Sequence, residues 1–193
     1  MFKKEDELLV EETVDEKEVF SGDLLKFTVN RVRRPDGSEG KREVVHHPGG
    51  VVIMPVLSST EEEEVPEKEV LMVKQYREPA GQTLWEFPAG TLEEGESSRE
   101  CARRELIEET GYKPASLEKK VDLFTSPGYS NEVLTLYLAK ELERIKPSEE
   151  VRSPADENLV AERFEVEELM KLADQGRIRD GKTLAGLFFL ARA

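Results

Sequence analysis

The sequence predicts an α/β domain in which strands mix with three helices and a sheet lies packed between helical layers. Three observations predict it. Val51–Leu57 is a short, nearly continuous apolar run, the pattern of a strand buried on both faces. Other runs mix apolar and polar residues and are broken by turn signals such as Pro35-Asp36-Gly37. Ser97–Thr110, Val166–Ala173 and Thr183–Ala191 carry helical patterning.

Taken in order, residues 1–19 alternate acidic and apolar positions without a clear period and read as a frayed or weakly attached arm. Leu24–Val32 and Arg42–Val45 read as paired strands about the Pro35 turn. After the apolar run, Ser58–Lys68 is a solvated loop, because its four consecutive glutamates repel one another. Val70–Tyr76 resumes a strand, and Trp85-Glu86-Phe87 is a short one ahead of Pro88. Ser97 with Glu100 forms a capping box at the start of the first helix, and Gly111 stops it. Leu117–Phe124 and Val133–Ala139 are further strands, Pro147–Asn158 is a polar loop, and two helices close the chain.

The composition excludes several classes. Asp and Glu number 42 against 28 Lys and Arg, for a formal net charge of −14. That balance opposes a nucleic-acid backbone or an anionic membrane as partner, and cations must mediate the approach of an anionic substrate. The apolar share of 37% still builds a core. The one cysteine, Cys101, cannot form an internal disulfide, which suits a reducing compartment. No secretory leader is expected in the polar first residues, and no apolar run approaches the roughly 18 residues that span a bilayer, so a cytoplasmic protein is expected.

The informative stretch is Gly90–Tyr112, GTLEEGESSRECARRELIEETGY. At about 100° per residue, Glu105, Glu108 and Glu109 fall within one face of the helix, beside the mostly apolar stripe of Ala102, Leu106 and Thr110. Clustered like charges repel, and a solvated helix more often intersperses lysines. The cluster makes sense as a seat for hard divalent cations, Mg²⁺ or Mn²⁺, which prefer oxygen ligands.

The spacing Gly90-x5-Glu96-x7-Arg104-Glu105-Leu106-x-Glu108-Glu109-x-Gly111-Tyr112 resembles the Nudix box, GX5EX7REUXEEXGU, at all seven fixed positions. Tyr112 stands where the pattern has an aliphatic residue. The resemblance implies a Nudix fold, an α/β/α sandwich with a mixed β-sheet, here joined to an N-terminal antiparallel strand region over 1–48. Residues 49–193 would form the hydrolase domain. It further implies Glu105 and Glu109 as main metal ligands, Glu108 as an auxiliary one, and the Ala89 backbone carbonyl as another. Arg104 would orient a box glutamate through an ion pair, and Glu96 would support the loop. Metal ions in such a box direct water onto a diphosphate.

Beyond the box, Pro127 follows Tyr112 by 15 residues, within Ser126-Pro127-Gly128-Tyr129-Ser130-Asn131-Glu132. This resembles the ADP-ribose pyrophosphatase subfamily, as do Arg42–Val45, Gln75–Arg77 and Gly176–Thr183. The resemblance makes Glu132 a candidate base or transient metal ligand on a mobile loop, against the plainer reading of a solvent-facing acid. Arg77 is expected to contact phosphate, with a surface ion pair as the alternative. Arg42 and Phe27 are candidates for adenine contacts across a homodimer interface, with strand packing the other reading of Phe27. Gly90 and Pro127 complete the substrate-binding candidates. Trp85 reads as core, and Cys101 as a small packing residue.

One rival motif exists. Gly176-Arg177-Ile178-Arg179-Asp180-Gly181-Lys182-Thr183 satisfies the phosphate-loop pattern GxxxxGK[ST]. That loop needs a strand before it, and the preceding residues read as an amphipathic helix. Glu109→Gln, rather than Lys182→Ala, is therefore expected to abolish hydrolysis. His46 and His47 belong to no spaced zinc-ligand set. The expected activity is Mg²⁺-dependent hydrolysis of ADP-ribose to AMP and ribose 5-phosphate. The alternatives are another nucleoside diphosphate sugar such as GDP-mannose, or a non-catalytic nucleotide sensor.

Overall fold

The computed structural model describes residues 9–57, 69–145 and 158–192. The loop expected at Ser58–Lys68 and, apart from Asn158, the one at Pro147–Asn158 lie outside the described residues. The chain forms two compact units. One takes residues up to Gly49 together with Phe124–Glu132; the other takes Gly50–Leu123 and the chain from Val133 onward.

The first unit is an antiparallel sheet ordered β1-β2-β3, with β1 at Glu12–Ser21, β2 at Lys26–Arg33 and β3 at Glu39–His46. The β2–β3 turn sits at the predicted Pro35-Asp36-Gly37, where the Asp36 carboxylate accepts from the Ser38 N–H at 2.9 Å. Residues 12–21 are a paired strand, which corrects the expectation of a frayed arm. β1 is exposed along nearly its whole length, so it carries no apolar face for a sequence pattern to reveal. Its order comes from the backbone ladder and from cross-strand ion pairs, Glu12 with Arg33 at 2.8 Å and Glu18 with Lys26 at 3.2 Å. Within the same unit the Ser126–Asn131 loop is bonded to β3: Val45 N–H donates to the Tyr129 carbonyl at 2.8 Å, and Asn131 N–H to the Val45 carbonyl at 3.2 Å.

The second unit is layered about β4, Gly50–Pro55, whose six residues are all buried. It lies in a mixed sheet ordered β7-β4-β9-β8, formed with β7 (Ala89–Thr91), β8 (Tyr112–Phe124) and β9 (Val133–Arg144). β4 runs parallel to β9 and antiparallel to β7. Alternate residues of β4 serve opposite layers. Val51 and Ile53 pack with Cys101, Ala102 and Leu106 of helix α1, Ser98–Thr110. Val52 and Met54 pack with Val70, Met72, Phe87, Leu169 and Leu187. Apart from Phe87, which directly precedes Pro88, these come from a second, antiparallel sheet and from two more helices. The sheet is ordered β10-β5-β6, with β5 at Glu69–Arg77, β6 at Gln82–Glu86 and β10 at Leu159–Glu165. The helices are α2, Val166–Asp174, and α3, Gly181–Leu190.

The predicted sheet between helical layers is present, with a second sheet beneath it. β7 and β10 were not legible in the sequence. β7 is only three residues long, and β10 (LVAERFE) is polar and half exposed, held by its register on β5 from Leu159 opposite Gln75 to Glu165 opposite Glu69. β6 begins at Gln82 and excludes Phe87, which turns into the core instead. β8 and β9 extend beyond the predicted ranges: β8 begins at Tyr112, which is buried, and β9 runs on to Arg144 through residues of which only Leu142 is partly shielded.

The first helix starts and stops as predicted. The Ser97 hydroxyl accepts from the Glu100 N–H while the Glu100 carboxylate accepts from the Ser97 N–H, and Gly111 takes the left-handed conformation at φ 72° that only glycine adopts without strain. Ser97→Ala removes half of this box and is expected to lower stability by about 1 kcal/mol, read as a shift of the urea-denaturation midpoint.

Candidate active site

The site is built where β6 runs through Phe87-Pro88 into β7 and the loop that leads to α1. Pairing of β7 with β4 fixes this turn: Ala89 lies opposite Val52 and Gly90 opposite Val51, and the Pro88 carbonyl accepts from the Ile53 N–H at 2.8 Å. Helix α1 then lays its acidic face against the turn. The Glu109 carboxylate accepts the Ala89 N–H at 3.1 Å. Glu105 packs directly on Gly90, so closely that a Cβ there would stand 1.8 Å from its carboxyl carbon. Glu105 is 8% exposed and Glu109 6%. Gly90 is thus glycine for want of space.

Arg104 is the hub of the acidic face. Its Nε and Nη2 atoms grip the two carboxylate oxygens of Glu96, each at 2.9 Å. Nη1 donates to Glu105 at 2.6 Å and to Glu108 at 3.3 Å, and Nη2 also reaches the Thr91 carbonyl at 3.2 Å. The bonds from Arg104 hold the Glu96 carboxyl below its ordinary pKa. In return Glu96, and then Glu105, raise that of Arg104 far above the range in which it could lose its proton. Cys101 lies beneath, buried, its thiol pushed up to about 12 by burial and then by the charge of Glu96. It is a packing residue, inert as a nucleophile. Tyr112, the departure from the box pattern, fills the aliphatic position by packing with Leu57 and Leu71, while its hydroxyl accepts from Arg163 at 3.0 Å.

Three carboxylates and a backbone carbonyl are hard donors, and their chemistry fits Mg²⁺ or Mn²⁺. In this arrangement Glu105 and Glu108 share the cationic Nη1 of Arg104, itself a positive charge between two ligand candidates. Among the described residues, no three acidic, imidazole or thiol groups already converge as a ligand shell.

Arg77 emerges from the end of β5 as a half-exposed guanidinium. Its Nε and Nη2 edge forms a fork with Glu86, at 2.9 and 2.7 Å, and it also feels the charge of Glu109. Glu86, a carboxylate only 1% exposed, is not among the site residues that the sequence predicts. Burial raises its pKa, but the Arg77 fork and the Lys182 ammonium outweigh this and keep it below the ordinary range. The available signal was a lone acid within the apolar run Trp85-Glu86-Phe87, since a buried charge demands partners. Trp85 is partly buried and meets Phe164 edge-on at 4.8 Å.

The remaining candidates belong to the first unit. Phe27 is exposed and meets Phe20 edge-on at 5.8 Å. Arg42 donates to Glu11. Pro127 is exposed on its loop. Glu132, expected as an isolated mobile acid, has partners: its carboxylate accepts from the Thr125 hydroxyl and lies 3.6 Å from Nδ1 of His47. His47 N–H in turn donates to the Asn131 side-chain oxygen at 2.8 Å.

The supposed phosphate loop is something else. Helix α2 precedes it, and Asp180 caps α3, accepting from the Thr183 N–H at 2.9 Å. The Lys182 ammonium is engaged by Glu86 and Asp180.

A mixed sheet presenting an acidic loop–helix in this way defines the class of fold that carries a Nudix box. A NUDIX domain profile matches residues 46–187. The chain belongs to the Nudix family. An ADP-ribose pyrophosphatase of Bacillus subtilis (strain 168) is 37% identical over 184 residues, covering 94% of this chain and 93% of that protein. A methanol dehydrogenase activator of Bacillus methanolicus is 36% identical over 185 residues, covering 95% and 94%. A crystal structure of an ADP compounds hydrolase shares the fold at a TM-score of 0.77, over 96% of this chain and 94% of that one, with 19% sequence identity.

The contact between Gly90 and Glu105 generates a test. Gly90→Ala must push the Glu105 carboxylate aside, and the expected result is at least about tenfold weaker Mn²⁺ binding with the fold retained. Equilibrium titration of Mn²⁺ by electron paramagnetic resonance, alongside circular dichroism, measures both.

Proposed function

We propose that this chain is a Mg²⁺-dependent pyrophosphohydrolase that cleaves ADP-ribose to AMP and ribose 5-phosphate, with Mn²⁺ as the substitute ion. The observation that carries the reading is the pair of buried carboxylates, Glu105 and Glu109, set against the Ala89–Gly90 turn. The substrate is supported by the similarity, over nearly the full length of both chains, to an ADP-ribose pyrophosphatase. The activator's name describes an effect on another enzyme; the site favours the small-molecule reading, because clustered acids on a helix suit metal-assisted attack on a diphosphate.

Glu105, Glu109, Glu108 and the Ala89 carbonyl would hold the cations, which neutralise the diphosphate and acidify water when bound. Arg104 fixes the directions of Glu105 and Glu108, while Glu96 anchors Arg104 from behind. Arg77, whose side chain is 40% exposed, is the candidate to contact a phosphate oxygen. Glu132 is the candidate to take a proton from the attacking water, with a box glutamate as the alternative. A net charge of −14 supports a small nucleoside diphosphate sugar as substrate, rather than nucleic acid or membrane. Among the described residues no helix is long and apolar enough to cross a membrane, and a cytoplasmic location belongs to the same reading.

The reading includes a homodimer formed through the first unit, with Arg42 and Phe27 at a shared adenine contact. Exposed Val19, Phe20, Leu24 and Phe27 on the first unit support an association of two copies.

Incubating the protein with Mg²⁺ and a panel of ADP-ribose, GDP-mannose, other nucleotide sugars and dinucleotides, then resolving the products, tests the reaction. ADP-ribose is expected to give the highest kcat/KM. Chelator should abolish turnover, and Glu109→Gln should lower kcat by about a hundredfold or more. Preference for GDP-mannose would select the alternative substrate, and no turnover of any compound would select a sensor. Light scattering should return twice the chain mass; a fully active monomer would remove the shared adenine contact.

A further inference from the structure

Lys182 takes no part in the chemistry so far, although it completes the one motif that the box does not absorb. Its ammonium donates to Glu86 and lies 3.0 Å from Asp180. Glu86 therefore has two cationic partners, Arg77 from the adjacent strand and Lys182 from the first turn of α3. The placement of Lys182 is fixed locally. Asp180 caps the helix by accepting from both the N–H and the hydroxyl of Thr183, and the Thr183 oxygen accepts the Phe87 N–H at 2.9 Å. The start of α3 thus grips two successive residues, Glu86 and Phe87, just before the Pro88-Ala89-Gly90 turn.

A buried carboxylate with a single cationic partner holds that partner tightly, because separating them leaves an uncompensated charge in a poorly solvated place. With two partners, the second covers the carboxylate while the first engages something else. Arg77 is the partner with somewhere to go: its side chain is 40% exposed, against 13% for Lys182.

We propose that Lys182 is a positioning residue for diphosphate binding: by sharing Glu86 with Arg77, it keeps that carboxylate compensated and leaves the Arg77 guanidinium available to a phosphate. The inference rests on the reading of Arg77 as a phosphate contact and deepens it. The C-terminal Gly-Lys-Thr sequence then serves phosphate binding at one remove, through a counter-charge.

The test is calorimetric titration of ADP with Mg²⁺ into the full-length protein, joined to steady-state kinetics on ADP-ribose. Lys182→Met is expected to weaken ADP binding at least about tenfold and to raise KM more than it lowers kcat. Lys182→Arg, which keeps the charge, should stay within about threefold of wild type. The decisive variant is Lys182→Met combined with Glu86→Gln. Removing the carboxylate releases Arg77, so the double variant should bind ADP more tightly than Lys182→Met alone, whereas a merely structural role for Lys182 makes it no better. Should Lys182→Met fail to fold, Lys182→Gln takes its place in the same measurements. Wild type that binds ADP but leaves ADP-ribose intact overturns the hydrolase reading and leaves this test standing. A wild type that does not bind ADP, a Lys182→Met that binds like wild type, or a double variant no better than the single one overturns the proposal.

Discussion

The bonding of one guanidinium to a crowd of carboxylates is the constraint on which the acidic face depends. Glu96, Glu105 and Glu108 all bond to Arg104, and two of the three lie on the same helical turn and a half. Without that cation the helix would set like charges one turn apart in a partly buried place, where each pair is unfavourable. With it, the acids are spaced and aimed. The fork to Glu96 matters most for geometry, since two parallel bonds fix the plane of the guanidinium and hence the direction of its third nitrogen. A lysine in that place would supply charge without the plane.

From this hub the dependence runs backward along the chain. Glu105 can approach because residue 90 has no side chain, and Glu109 is held by a backbone N–H one residue earlier. Those two backbone positions are set by the short strand β7 on β4, whose own residues are buried on both sides. The segment just ahead of the turn is tied to the C-terminal helix through Thr183 and Lys182. The acidic face and its turn, from Ala89 to Glu109, occupy a short stretch of chain, yet their placement draws on β4 and on α3, which are distant in sequence. That is the ordinary condition of a preorganised site: rigid surroundings determine where charged groups point.

Much of this was legible in the residues themselves. The first helix, both its caps and the identity of its acidic face follow from nearest-neighbour rules, since capping and helical spacing involve residues three or four apart. The doubly buried β4 was legible because an uninterrupted apolar run has few other uses. β1 was not, because its stability lies in backbone bonds and exposed ion pairs that leave no periodic apolar trace. β10 was missed for the related reason that a polar strand is defined by its partner β5 rather than by its own composition.

The division between sequence and tertiary structure is therefore a division of range. The sequence by itself determined the family pattern, the carboxylate spacing, and the need for glycine, arginine and glutamate at fixed separations, because these act within a few turns of chain. Only the tertiary structure decided that Arg77 faces a buried Glu86, that Lys182 answers the same carboxylate from a helix almost a hundred residues away, and that Glu132 rests on Thr125 and His47. A buried charge states that it needs a partner; which partner it receives is settled by packing, where distance along the chain has no bearing on distance in space.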